Sequence, residues 1–177
     1  TEASIGRPCA VPDPFLDVLR AAKQGRLKVF LGMAAGVGKT VAMLREARRL
    51  RAEGVDVVCA FVETHGREGT ARELGDLEVV PRRTIVYRDV PLEEMDLDAV
   101  LARKPDVAVV DELAHTNVPG SRHARRYQDV EALLDAGVSV LSALNVQHLE
   151  SLHDLVLRAT GVDVRERVPD RVLHRAD

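Results

Sequence analysis

The sequence predicts an α/β domain, a P-loop NTPase-like parallel sheet with helices on both faces. Three observations carry that expectation. Short apolar runs alternate with amphipathic stretches along the chain. A glycine-rich loop within "LGMAAGVGKT" (31–40) joins the first apolar run to the first long amphipathic stretch. A later apolar run, "VAVVDE" (107–112), ends in two acids. Strands alternating with helices form parallel sheets, because each helix carries the chain back over a sheet face.

The elements follow in order. Asp13-Pro14 reads as a helix cap with proline at the first helical position, opening a short helix that Gly25 ends. "LKVFL" (27–31) is a buried strand. From Gly38 a helix sets Met43, Ala47 and Leu50 on one face, with Gly54 as its stop. "VDVVCAFVE" (55–63) is rich in β-branched residues and suits a strand buried on both faces. A brief helix, "GTARELGDL" (69–77), and a strand, "TIVYR" (84–88), come next. "DLDAVLARK" (96–104) is a helix capped by Asp96 and ended before Pro105. After the acid-tipped strand come a helix at 122–137, a strand "VSVLSALN" (138–145) and a helix at 148–161. No internal repeat or low-complexity linker interrupts the alternation. A single domain is expected over 25–170, with 1–24 a lead-in and 171–177 the start of a linker.

Composition narrows the function. A hydrophobic fraction of 46% and a charged fraction of 30% are those of a globular domain. The net charge of -3 gives no general attraction to nucleic acid or anionic lipid, and 3% aromatics leaves little for base stacking. No nucleic acid is expected as a partner. No apolar run nears the roughly 18 residues of a membrane span, so direct membrane insertion is not expected either. No signal-peptide pattern opens the chain. Cys9 and Cys59 form no C-x-x-C pair, and Cys59 suits a buried strand position in a reduced compartment.

The glycine-rich loop sits where a parallel α/β sheet binds ligands, after a strand and before a helix. Gly36 and Gly38 allow backbone angles closed to other residues and let amides approach phosphate oxygens. The helix N-terminus after Val37 and Gly38 adds unpaired N–H groups. Lys39 is placed to reach the β/γ-phosphates of a nucleotide, and the Thr40 hydroxyl to ligate Mg²⁺. Strict G-x-x-x-x-G-K-[ST] spacing lands on Met33, with Gly32 one position early. Because the "AGVGKT" segment is intact, phosphate binding is expected to survive.

The acid-tipped strand complements the loop. Its apolar residues carry Asp111 rigidly to the sheet edge, opposite Thr40, where a carboxylate holds Mg²⁺ through water. Glu112 either polarises an attacking water as a catalytic base or caps the following turn. Other strand ends are polar: Glu63, Thr64, His65 and Arg67 sit in a switch-like loop, and Asn117 and Asn145 are candidates for sensing a γ-phosphate. For each of these singly, an ordinary polar turn is the simpler explanation. The six histidines match no zinc spacing, and "HTNVP" at His115 is not a phosphoacceptor motif.

The motifs "FLGMAAGVGKT", "VETHGR", "DELAHTNVPGSRH", "RYQDVEALLDAGVSV", "NVQHLESLHDLV" and "VRERVPD" together resemble the N-terminal cytoplasmic domain of the KdpD family. These are osmosensitive potassium-channel sensor histidine kinases, and the resemblance runs from about Gly25 to the chain's last residues. Within that family the shifted loop is the usual form. The resemblance implies an ATP-binding regulatory domain within a cytoplasmic portion of an inner-membrane protein. Its implied partners are ATP, the following domains of the same kinase, and the response regulator KdpE, toward which kinase/phosphatase balance is tuned. ATP and Mg²⁺ are the implied cofactors. The resemblance carries Gly36, Gly38, Lys39, Thr40 and Asp111 as site residues. Two other functions compete: a catalytic P-loop domain (an ATPase or a phosphoryl transferase to a hydroxyl), and a docking module that binds no nucleotide.

Overall fold

The structure is a computed structural model that describes residues 14, 24–33, 36 and 38–176. The expected helix after Asp13-Pro14 lies outside them except for Pro14, which is helical. The loop residues Ala35 and Val37 also lie outside them.

Five strands form one parallel sheet. They are β1 (Leu27–Gly32), β2 (Val57–Phe61), β3 (Glu78–Val79), β6 (Val107–Val110) and β7 (Ser139–Asn145), ordered β1-β7-β6-β2-β3. Every pairing is parallel, with Leu27 opposite Val140 and Val107 opposite Ser139. Their alternating side chains build two cores, as a strand's two-residue period dictates. Cys59, Val107, Val109, Leu141 and Ala143 face α1 (Lys39–Ala52), which contributes Met43, Leu44, Ala47 and Leu50. Val58, Ala60, Ala108, Val110 and Val140 face the other way, toward α3 (Leu97–Arg103) and α4 (Arg126–Asp135). Helices therefore cover both faces, and the central strands are apolar on both sides.

Local chemistry sets most element ends. Asp96 caps α3, its carboxylate accepting from the Ala99 amide at 3.0 Å. Gly161 closes α5 (His153–Thr160) at φ 71, a left-handed conformation that glycine adopts freely. The expected helix at 148–161 is helical only from His153, two 3-10 turns preceding it.

The "TIVYR" segment departs from the expected alternation. It forms β4 (Arg83–Tyr87), which pairs antiparallel with β5 (Val90–Glu94) as a separate hairpin rather than joining the main sheet. The two-residue turn places Arg88 and Asp89 at φ 50 and 63, the positive values that match the twist of the paired strands. β3, which follows α2 (Glu68–Leu74), takes the edge position instead.

The chain ends against the same body. Val168 and Val172 are fully buried in the α3/α4-side core, Val172 on α6 (Asp170–Leu173), and Ala176 bridges in parallel to Leu27.

Candidate functional site

β1, β7, β6 and β2 are parallel, so their carboxyl ends share one edge of the sheet. A cleft of about 230 Å³ opens there. Gly36, Lys39 and Thr40 form one wall; Asp111 to His115, Asn145, His148 and Glu166 form much of the rest, with His65 and Arg67 at the side. The structure thus gathers Gly36, Lys39, Thr40, Asp111 and Glu112, which lie up to 76 positions apart in the sequence, around one cavity.

Both described loop glycines take the left-handed conformation open to glycine. Gly36 and Gly38 stand at φ 83 and 84. A Cβ at Gly38 would meet nothing within 4 Å among the described residues, so the constraint they impose is conformational rather than spatial. Met33, where the strict motif has its first glycine, is 77% exposed and leaves the cleft unblocked.

β6 carries Asp111 to the edge as a nearly buried carboxylate. The Thr40 hydroxyl donates to its Oδ2 at 3.0 Å, and the Glu112 amide to its Oδ1 at 2.9 Å. Burial raises the Asp111 pKa above the ordinary carboxylate range; bonds from Glu112, Thr40 and the Glu63 amide, and the nearby Arg126 charge, oppose that shift. Lys39 is shifted downward by burial, with the Asp111 charge opposing. A raised acid and a lowered base side by side mark a desolvated polar site.

Glu112 stands at φ 55, uncommon for a non-glycine residue, and its carboxylate lies 3.5 Å from His65 Nε2. The strand between the loop-bearing and acid-bearing strands, β7, ends in Asn145, whose Oδ1 is buried with no hydrogen-bond partner among the described residues.

Asn117 does not join this site. It is buried, and its amide donates to Asp129 Oδ2 at 2.7 Å and to the His123 carbonyl at 3.0 Å. The Glu63 carboxylate is likewise engaged elsewhere, with Arg82 at 2.7 Å. Their neighbours belong to a buried network that the sequence does not signal. Glu94, at the end of β5, accepts from Arg126 Nη2, His115 Nε2 and the Val118 amide, each at 2.8 Å. Arg126 is fully buried, 3.8 Å below the Phe61 ring, and donates to the Asp111 carbonyl at 3.3 Å. This network fixes the 113–125 loop, and with it the Asp111 main chain.

His148 and Glu166 form the far wall. His148 Nδ1 donates to the Glu166 carbonyl at 2.7 Å, and the Glu166 carboxylate accepts from the Thr116 amide at 2.9 Å. Nothing in "RERVPD" marks Glu166 as a cleft residue; it arrives there because Val168 is buried two positions later.

Fold and cleft define a parallel α/β domain with a cleft lined by polar and charged side chains at the carboxyl ends of its strands. The family follows from comparison with known proteins. A family model described as "KdpD: Osmosensitive K+ channel His kinase sensor domain" matches residues 23–177. The chain belongs to that family. It is 55% identical to the sensor protein KdpD of Escherichia coli K12 over 166 residues, 94% of this chain and 19% of that protein. It is 57% identical to a putative sensor protein KdpD of Synechocystis over 155 residues, 88% of this chain and 42% of the other. With the Mycobacterium tuberculosis H37Rv sensor protein KdpD it shares 48% over 171 residues, 96% of this chain and 20% of that protein. The chain therefore spans less than half the length of each of these relatives.

Proposed function

We propose that this chain is a Mg-ATP-binding regulatory domain of a potassium- and osmotic-stress-responsive sensor histidine kinase. In this account nucleotide occupancy tunes the kinase/phosphatase balance toward the response regulator KdpE, from a cytoplasmic position in an inner-membrane protein. Family membership supports the setting. Among the described residues, no helix is long and apolar enough to cross a membrane.

The observation that carries nucleotide binding is the 3.0 Å contact of Thr40 Oγ1 with Asp111 Oδ2, in the cleft that Lys39 also lines. A hydroxyl and a carboxylate so joined are hard oxygen ligands suited to Mg²⁺, which takes its remaining positions from phosphate oxygens and water. Gly36 and Gly38, in left-handed conformations, free their segment to curve around a phosphate. The residues fit the group. Thr40 and Asp111 would hold the cation, Lys39 and the amides of the Gly36–Thr40 segment the phosphates, and Mg²⁺ would supply charge neutralisation. The cleft suits a triphosphate tail better than a whole nucleotide, which leaves the base at its mouth.

A second account, that the domain also hydrolyses ATP, is favoured by two side chains. Glu112 projects from the acid-bearing strand end beside Asp111, and Asn145 contributes a buried acceptor without a partner among the described residues. An acceptor cannot bond a phosphate oxygen, so the Asn145 Oδ1 suits the O–H of a water that Glu112 would polarise.

Titration of the chain with Mg-ATP in a calorimeter tests binding. Charge-assisted hydrogen bonds contribute about 1.5–3 kcal/mol each, so Lys39→Ala should weaken binding roughly 10- to 150-fold. Equal affinity in wild type and variant would remove Lys39 from the site. Phosphate release at saturating ATP, lost in Glu112→Gln, would establish hydrolysis.

A further inference from the structure

The loop after β2 carries two residues that nucleotide binding by the glycine-rich loop does not require: His65 and Arg67. The backbone turns sharply there, with His65 and Gly66 at φ 47 and 68, and the Arg67 amide donates to the Thr64 carbonyl at 2.8 Å. The turn aims both side chains into the cleft. His65 reaches Glu112. The Arg67 guanidinium lies against the glycine-rich loop, its two terminal nitrogens 3.8 and 3.9 Å from the position a Cβ would take on Gly36.

Arg67 is solvent-exposed, and its guanidinium makes no ion pair with any described residue. Several other arginines are neutralised by acids. Arg45 pairs with Glu73, Arg82 with Glu63 and Glu93, and Arg103 with Asp56 and Glu78. A cation held against a phosphate-type loop, with no acid to neutralise it, is a donor fork facing the place of an anion. Guanidinium geometry matches a pair of phosphate oxygens, and a lysine does not replace it there.

We infer that Arg67 is a specificity-determining residue that grips the terminal phosphate of the nucleotide, so that the loop after β2 distinguishes a triphosphate from a diphosphate. The inference rests on the nucleotide site proposed above. Position favours the terminal phosphate: Arg67 shares its loop with His65, and His65 touches Glu112, the acid beside which a reacting phosphate would lie. Gly36 matters for the same reason. A side chain there would sit in van der Waals contact with the guanidinium and would strain the left-handed backbone.

The test compares wild type, Arg67→Ala and Arg67→Lys by calorimetric titration with Mg-ATP, Mg-ADP and Mg-tripolyphosphate. Melting curves check the fold, which an exposed side chain should leave unchanged. The expected result is a ten- to hundredfold loss of affinity for ATP and tripolyphosphate in Arg67→Ala, at most a threefold loss for ADP, and little rescue by lysine. Equal losses for ATP and ADP would overturn selectivity for the terminal phosphate. Unchanged ATP affinity, or a loss for ATP without one for tripolyphosphate, would overturn phosphate contact altogether. Failure of the wild type to bind any of the three would instead overturn the nucleotide site itself.

Discussion

Asp111 is held at a cost. It is a carboxylate nearly removed from water, and its folded-state pKa is raised by that burial. The sign of the linkage follows. A raised acid binds its proton more tightly in the folded chain, so its unfavourable contribution is absent below the unfolded pKa. It grows as pH rises through the window between the unfolded value and the raised folded one. Ligand-free protein is therefore expected to lose stability across that mildly acidic range from this group. Asp111→Asn removes the charge while keeping an acceptor for the Glu112 amide and, with the hydroxyl rotated, a partner for Thr40. The variant should melt as high as wild type or a few degrees higher at pH 7, about 2–4 °C per kcal/mol for a chain of this size. It should also lose the rise in melting temperature that Mg-ATP confers on the wild type. A variant that melts lower and is still stabilised by Mg-ATP would show that Asp111 is structural and not a metal partner. Glycine residues, Lys39, Thr40 and Asp111 were legible in the sequence because a short motif encodes a local backbone shape. Arg67 was visible only as one polar residue in a turn, since its approach to Gly36 depends on β2 and β1 lying in one sheet.

Among the elements, the same division holds. β1, β2, β6 and β7 announce themselves as apolar runs because each feeds two cores, whereas β3 is two residues long and exposed. The pairing of β4 with β5 has no sequence signal because its turn is Arg88-Asp89 rather than the Asn-Gly or Asp-Gly that usually marks positive φ, and Pro91 sits within its second strand. Its function is structural: it delivers Glu94 under the 113–125 loop. Glu94 and Arg126 are 32 positions apart and look like two ordinary charges in the sequence, yet they make a buried pair at 2.8 Å. Burial alone would raise the Glu94 pKa, but bonds from His115 and the Val118 amide, with the His115 and Arg126 charges, bring it below the usual value. Removing one partner of a buried pair strands the other's charge, which costs roughly 3–5 kcal/mol. Glu94→Ala should accordingly lower the melting temperature by about 10 °C, taking 2–4 °C per kcal/mol. It should also weaken Mg-ATP binding, because Arg126 steadies the Asp111 carbonyl. Replacing both partners, Glu94→Leu with Arg126→Met, should restore much of the stability. If the double variant is as unstable as the sum of the singles, the pair is not energetically coupled.

On the scale of the whole molecule, the C-terminal strap joins parts that the sheet alone leaves separate. Val168 hydrogen-bonds to the His148 carbonyl at 2.7 Å and its carbonyl accepts from Glu150 at 3.1 Å, so the strap runs alongside the segment leaving β7. Glu166 ties the same strap to Thr116 in the loop after β6, and Ala176 reaches the first residue of β1. Three of the four strand-derived elements that form the cleft are thus held, directly or through a neighbour, by residues 166–176. Val168 and Val172 are each fully buried, and burial of such a side chain contributes about 1.5–3 kcal/mol. Their joint loss, roughly 3–6 kcal/mol, is a large part of the 5–15 kcal/mol that stabilises a typical domain. A chain ending at Arg165 is therefore expected to melt roughly 6–24 °C lower, at 2–4 °C per kcal/mol, or to fail to fold. Glu166→Ala, which keeps both valines, should leave stability nearly unchanged while freeing the Thr116 amide and loosening the cleft's far wall. The discriminating measurement is amide exchange of residues 113–118. Faster exchange in Glu166→Ala at unchanged melting temperature would confirm that the strap holds the site as well as the core. Unaltered exchange would confine its function to covering Val168 and Val172.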